Sequence, residues 1–257
     1  MSTSSADTAV ERVADAIRSE ILSGAIALGS PLREEAQAER HGVSRHTVRS
    51  AFQRLVAERL AEAEPYRGVR VVSFDGDEIR ALQQLRAALE GEAVRIVAER
   101  YGQTWPAEVL APAEEVLDRL RGLRSERSER LETEVGLEAS PSPSPQPAVD
   151  WLEVERLHAD FHRAIVAASA SPRIIETHDA LGSELLLFLL HVRPHYTLES
   201  IIVEHRELLD AVQVRGPEAM REHLVHSTEL LLGEAEAEAE ADAAADTVGD
   251  TATDVTP

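Results

Sequence analysis

The sequence predicts a mainly α chain in two parts: an N-terminal winged helix-turn-helix followed by an all-α helical bundle. Three observations predict it. Residues 33–72, REEAQAERHGVSRHTVRSAFQRLVAERLAEAEPYRGVRVV, read as helix, tight turn, second helix and two-stranded hairpin. From Glu78 onward no stretch alternates with the period of a strand, and the apolar residues recur at helical spacing. The chain carries a net charge of -21, yet residues 40–70 hold seven arginines against three acids, a local +4. An acidic chain with one basic face fits contact with DNA through that face alone.

Each element follows from the residues. Residues 1–8 are expected to be a flexible polar leader, and 9–74 the winged-helix domain. Val10 to Ser23 form a first helix with Val13, Ile17, Ile21 and Leu22 inward, and Gly24 to Pro31 a loop. Glu34 to Arg40 make a short helix, and Gly42 supplies a turn that tolerates positive φ. Ser44 is a good N-cap for a helix running to about Arg59, in which Val48, Ala51, Phe52, Leu55 and Val56 make one apolar face. Arg45, His46, Arg49 and Gln53 point elsewhere. Ala61 to Glu64 and Val69 to Ser73 are the strands of a wing joined through residues 65–68.

These residues are similar to the head of GntR-type bacterial transcription regulators. Those carrying the resemblance are Ile21-Leu22-Ser23-Gly24, Gly29, Leu32, Gly42-Val43-Ser44-Arg45, Val48-Arg49, Ala51, Arg54-Leu55 and Arg67-Gly68-Val69-Arg70-Val71. The chain departs from the pattern at Gln37, Thr47, Ser50 and Arg59, where Leu, Pro, an acid and Gly are usual. The expected DNA-binding residues are Arg33, Ser44, Arg45, Thr47, Arg49, Arg67, Gly68 and Arg70. The recognition helix would enter the major groove, where arginine reads guanine O6 and N7, and the wing would reach phosphate or minor groove.

Composition narrows the rest. Cysteine is absent, so disulfides and thiolate metal sites are excluded, and every base is arginine. The N-terminus has neither basic residues nor an apolar run, and the longest apolar stretch, Leu185 to Leu190, is far too short to span a bilayer. A cytoplasmic protein is expected.

Residues 77–233 are expected to be the bundle. Its helices are Ile79–Tyr101, Ala107–Arg124, Trp151–Ser169, Ile174–His191, Leu198–Val214 and Pro217–Leu232, the last two a hairpin turning at Arg215-Gly216. The Pro-Ser repeat makes 125–149 a flexible insertion, and 234–257 an acidic, disordered tail that solubilises or competes with DNA for the basic face.

Two histidines of one helix, His158 and His162, stand at i and i+4 on an apolar stripe, so both imidazoles can reach one metal. His205 lies on the inward stripe of the hairpin's first helix. Residues equidistant from the turn lie level, which puts His205 level with about His226, with His223 one turn nearer the loop. Three or four imidazoles then converge, a set that suits Zn²⁺, Ni²⁺ or Co²⁺ more than Mg²⁺ or Ca²⁺. The competing reading is that each histidine packs in the core on a single hydrogen bond. Arg86, between Leu82 and Leu89, either pairs with Glu90 at i+4 or receives an effector carboxylate. His191, His195 and Arg193 fall at a helix end, near the pocket rim, and His178 and His41 are unassigned.

The bundle resembles the FadR-type, FCD-type effector domain of the same regulators. The resemblance rests on residues 85–90 (LRAALE), Phe161-His162-Arg163-Ala164 before Ser171-Pro172, Glu204-His205-Arg206, and Pro217-Glu218-Ala219. It implies a divalent metal held by Asp-x-x-x-His and two further histidines. His162 and His205 match, His158 stands in the Asp position, and Ser227 falls on the last ligand in an ungapped reading. His226 is favoured for that ligand and His223 stays open. The resemblance implies a ligand-responsive repressor, not an enzyme. It would act as a homodimer on an inverted-repeat DNA operator, released or modulated by a small organic acid. A metal-dependent hydrolase is the alternative, but the run His158-Ala159-Asp160-Phe161-His162 lacks the glutamate a zinc-protease helix needs. A constitutive DNA-binding protein without effector is a third reading.

Overall fold

A computed structural model describes residues 5–135, 150–192, 196–230 and 232. The expectations for the Pro-Ser repeat and the acidic tail fall outside these residues.

The head comprises α1 (Ser5–Leu22), β1 (Pro31–Leu32), α2 (Glu34–His41), α3 (Arg45–Ala57), β2 (Ala61–Glu64) and β3 (Gly68–Val71). Helix α1 begins inside the stretch expected as leader, and β1 is a two-residue strand where a loop was expected. β1 exists because β3 lies between it and β2, pairing antiparallel with both: Leu32 faces Val69, and Ala61 faces Val71. Ser44 caps α3 by accepting from the Thr47 N–H at 3.1 Å. Gly42 ends α2 in the left-handed region at φ 63°. Val48, Ala51, Phe52 and Leu55 of α3 close on Val13, Ile17 and Ile21 of α1, with Leu60 and Val71 beneath. Burying a side chain of this size contributes about 1.5–3 kcal/mol, so this small core carries the head.

The bundle follows: α4 (Gly76–Tyr101), α5 (Ala107–Val135), α6 (Trp151–Ala168), α7 (Pro172–Asp179), α8 (Gly182–Val192), α9 (Leu198–Arg215), and α10 over residues 217–230. Asp75 opens α4 with a reciprocal capping box: its carboxylate accepts from Glu78 N–H, and Glu78 accepts from Asp75 N–H. Val94, Val97, Leu117, Leu120, Phe161, Ile201, Leu209 and Met220 are among the side chains that close the core between α4, α5, α6, α9 and α10.

Two expectations need correction. The single apolar helix 174–191 is two helices, broken at Ala180-Leu181. A poor helix former, Gly182, stands at the junction. The break lets α7 stay on the bundle while α8 turns to the head. Helix α5 continues past Arg124 to Val135, because Ser-Glu-Arg-Ser-Glu-Arg-Leu-Glu-Thr-Glu contains no breaker; Gly and Pro come only later.

α8 is shared. Leu187 sits in the head core, whereas Leu185, Phe188 and Leu189 pack with Ile79 and Leu82. Phe74, just before α4, meets Phe188 edge to face at 5.6 Å. No helix among the described residues is long and apolar enough to cross a membrane.

Candidate functional site

The exposed side of α3 carries the head's polar chemistry. Arg45, His46 and Arg49 are exposed, and Thr47 is half-buried beside the cap. The Arg49 guanidinium donates in a bidentate pair to Glu34 of α2, Nε to Oε1 at 2.8 Å and Nη2 to Oε2 at 2.7 Å. Arg45 pairs with Glu35. At the wing, Gly68 takes φ 90°, Arg70 donates to Glu64 at 2.9 Å, and Arg67 extends into solvent. Arg33 is exposed at the start of α2. The eight residues expected at DNA thus lie on the surface of α2, α3 and the wing. Sequence reasoning passed over Tyr66, fully exposed at the wing tip with φ 67°. Its position between Pro65 and Arg67 was the available signal.

The second constellation is inside the bundle. His158 and His162 lie one turn apart on α6, and His205 reaches them from α9. Their ligand nitrogens all lie within 4.8 Å of one another, and all three side chains are buried. Each ring has one nitrogen committed to an acceptor. His162 Nδ1 donates to Glu90 Oε2 at 2.7 Å, His205 Nδ1 to the Ile201 carbonyl at 2.7 Å, and His158 Nδ1 to Glu155 Oε2 at 3.1 Å. Carboxylates and carbonyls only accept, so these partners fix the tautomers. All three Nε2 atoms then carry lone pairs, and those of His162 and His205 stand 3.2 Å apart.

Burial, the largest cause, pushes the protonation of His158 and His205 well below the usual range, and neighbouring imidazoles add to it. Burial also lowers His162, opposed by Glu90. The rings are therefore neutral, as metal coordination requires. Glu90 itself is wholly buried. Burial opposes its ionisation, but Arg86 and His162 hold it well below the usual carboxylate range.

His223 of α10 joins the cluster, its ring centroid 5.0 Å from that of His205 and 5.5 Å from that of His162. His226 does not. It is exposed, beside Glu204 on the outside. Counting residues from the turn gives level but not face. Ala219, Met220 and Leu224 point inward, which takes His223 with them and turns His226 about a quarter turn away. Ser227 is at the inner edge, bonded to Tyr196 Oη at 3.0 Å and to Gln83 at 3.4 Å.

Arg86 is buried. Its Nε donates to Glu90 at 2.9 Å and its Nη1 to Gln83 at 2.9 Å, while its Nη2 has no hydrogen-bond partner. The i+4 pair of the sequence reading exists, and a cationic donor is left over. Glu90 takes a third neighbour, His178 Nε2 at 3.4 Å. Glu155 was legible at i−3 of His158. The meeting of Glu90 with His162, 72 residues apart, and of His178 with Glu90 had no local signal.

An arginine-bearing winged helix joined to a helical bundle with a buried imidazole cluster defines a two-domain transcription regulator. Residues 9–71 match the family described as "Bacterial regulatory proteins, gntR family", and residues 81–229 match the FCD domain. The chain belongs to the GntR family and carries an FCD effector domain. It is 29% identical over 219 residues to a probable D-xylose utilization operon transcriptional repressor of Paenarthrobacter nicotinovorans, covering 85% of each. It is 27% identical over 218 residues to the HTH-type transcriptional repressor GlaR of Escherichia coli K12, covering 81% of this chain and 89% of GlaR. Among solved structures, a putative GntR transcriptional regulator from Rhodococcus sp. RHA1 matches with a TM-score of 0.59 at 26% identity, covering 87% of this chain and 97% of that one. Members of these families are transcription regulators, and the hydrolase alternative has no support.

Proposed function

We propose that this regulator is a metal-dependent, ligand-responsive repressor. Its FCD domain would hold one divalent ion on His158, His162 and His205, with His223 next to the open position. The observation that carries this is the approach of the His162 and His205 Nε2 lone pairs to 3.2 Å in a buried cluster. Two acceptors that close repel each other unless a cation or proton lies between them. Each ring is oriented from behind by an acceptor, the arrangement that tunes metal ligands in proteins. An all-imidazole set favours Zn²⁺, Ni²⁺ or Co²⁺. The ion would supply a positive charge and open coordination sites for an effector oxygen. The chain's own residues orient the rings and exclude water.

The unpartnered Arg86 Nη2 marks the effector class. A buried guanidinium N–H costs about 1–3 kcal/mol when unsatisfied, and a carboxylate satisfies it. A small organic acid bridging metal and Arg86 fits both groups. On the head, Ser44, Arg45, Thr47 and Arg49 would read the major groove, while Arg33, Arg67, Gly68 and Arg70 would hold phosphate or minor groove. One such head contacts too few bases for tight binding, so a homodimer on an inverted repeat is the working form.

Mass spectrometry of the purified protein, native and after dialysis against zinc, tests the centre. About one metal per chain, absent in His162→Ala, is expected. A metal-free protein under replete zinc would overturn the metal reading and leave Arg86 as the effector anchor.

A further inference from the structure

The head rests on α8, with Leu186, Leu187 and Leu190, and Leu152 of α6, packed against its core. Leu187 enters the head core, yet a crevice of about 230 Å³ remains between α8 and the end of α1, lined by Ile21, Leu22, Ile26, Leu187 and Leu190. Apolar contact is non-directional, so it sets the head's orientation less sharply than a directional polar contact would.

A polar contact crosses the seam. Arg59 Nη1 lies 3.3 Å from Glu184 Oε2, in the first turn of α8. Among the described residues it is the one ion pair joining head to bundle. Both ends carry a cost. Arg59 holds φ 57°, a left-handed backbone that glycine adopts freely and that strains a long side chain. Glu184 is only 15% exposed, while the Arg59 side chain that reaches its Oε2 is 60% exposed. Burial raises its protonation, Arg59 opposes that, and Glu78 reinforces it. A strained residue at a chain turn and a carboxylate oxygen whose one polar neighbour is Arg59 are each unfavourable alone. Together they have one physical rationale, which is each other.

We infer that Arg59 is a positioning residue of the DNA-binding head: with Glu184 it forms an inter-domain latch that holds the head in one orientation on α8. The left-handed turn at 59 is the geometry that carries the side chain across the seam. Leu60, fully buried next to it, ties the latch to the head core. The latch sits on the segment that also touches the imidazole cluster, since α7 carries His178 to Glu90 and runs directly into α8. It needs neither metal nor effector to form, so its test is independent of the proposed function.

The test is hydrogen exchange by mass spectrometry on the full chain, comparing wild type, Arg59→Gly, Glu184→Gln and the charge-reversed pair Arg59→Glu/Glu184→Arg. Exchange reports local opening. Expected is several-fold faster exchange of α8 and residues 21–28 in both single variants, unchanged protection of α3, and return toward wild type in the reversed pair. Arg59→Gly also relieves the φ strain, so the melting temperature of the whole chain should hold or rise while the seam exchanges faster, which a residue of purely structural value would not do. Single variants that exchange like wild type, or a reversed pair no better protected than they are, would overturn the latch.

Discussion

His162 and His205 meet nitrogen to nitrogen, their Nε2 atoms 3.2 Å apart with neither side chain more than 1% exposed. The two histidines stand 43 residues apart in the chain, on α6 and α9, and each ring is held from behind, one by Glu90 and the other by the Ile201 carbonyl. Neither ring can turn away without breaking a buried hydrogen bond. Under the proposed metal reading, the pair would share a cation.

The fourth imidazole distinguishes face from level. His223→Ala should weaken zinc binding measurably, because His223 lies beside the cluster. His226→Ala should leave it unchanged, because His226 is exposed. Competition titration with a chromogenic chelator reads both. Equal losses would refute the placement of α10.

Glu90 serves structure and site together. In Glu90→Gln, Arg86 keeps its buried charge and loses its counter-ion, and breaking such a pair costs about 3–5 kcal/mol. His162 loses the carboxylate behind it, a change that typically lowers metal affinity about 10–100-fold. Chemical denaturation and metal titration separate the two effects. Glu155→Gln, behind His158, should reduce metal affinity in the same direction. A Glu90→Gln protein with wild-type stability would mean that Arg86 is not held by this pair.

Acid should destabilise the metal-free protein in two stages. Burial keeps His158, His162, His205 and His223 neutral in the folded state, below the usual imidazole pKa of 6.5. The unfolded chain thus takes up protons first, so stability is full above about pH 6.5 and falls as pH drops beneath it. The slope is at most about 1.4 kcal/mol per pH unit for each such proton. Glu90, held well below 4.5, contributes stability that is present above that pH and lost only as pH falls through its folded value. Thermal melts between pH 8 and 4 should decline in this order, and His223→Gln should flatten the upper stage. A level profile from pH 8 to 5 would contradict neutral rings at His158, His162, His205 and His223.

On DNA, Arg49→Ala and Arg67→Ala should fail differently. A lost bidentate contact to guanine costs about 1–3 kcal/mol of discrimination, a tenfold loss or more against the selected operator. A lost phosphate contact lowers affinity on every sequence and reduces the salt dependence by about one ion. Fluorescence anisotropy on an operator obtained by selection from random DNA, at several salt concentrations, distinguishes them. Identical behaviour of the two variants would remove the division of labour between α3 and wing.

The head was almost wholly legible in the sequence because its signals are local. Ser44, Gly42 and the stripe from Val48 to Leu55 each act within a few residues. In the bundle, helices were legible and their relations were not. The i, i+4 spacing of His158 and His162 is written in one helix, whereas the choice of His223 over His226 depends on how α10 rolls against α9. Glu90 meeting His162 depends on the packing of α4 on α6. The break at Ala180-Leu181 was hidden because apolar residues continue through it; tertiary demand from two cores divides the helix there. β1 is two residues long and exists only by pairing with β3.

Leu187 is counted in one domain by sequence and in the other by packing. A head cut from the chain at the end of the wing would lack that side chain and expose an apolar hollow on α1. A bundle made alone would present Leu186, Leu187 and Leu190 to water. Neither half is then a self-sufficient folding unit: heat should melt them in a single cooperative transition, and the isolated pieces should be sticky and poorly soluble.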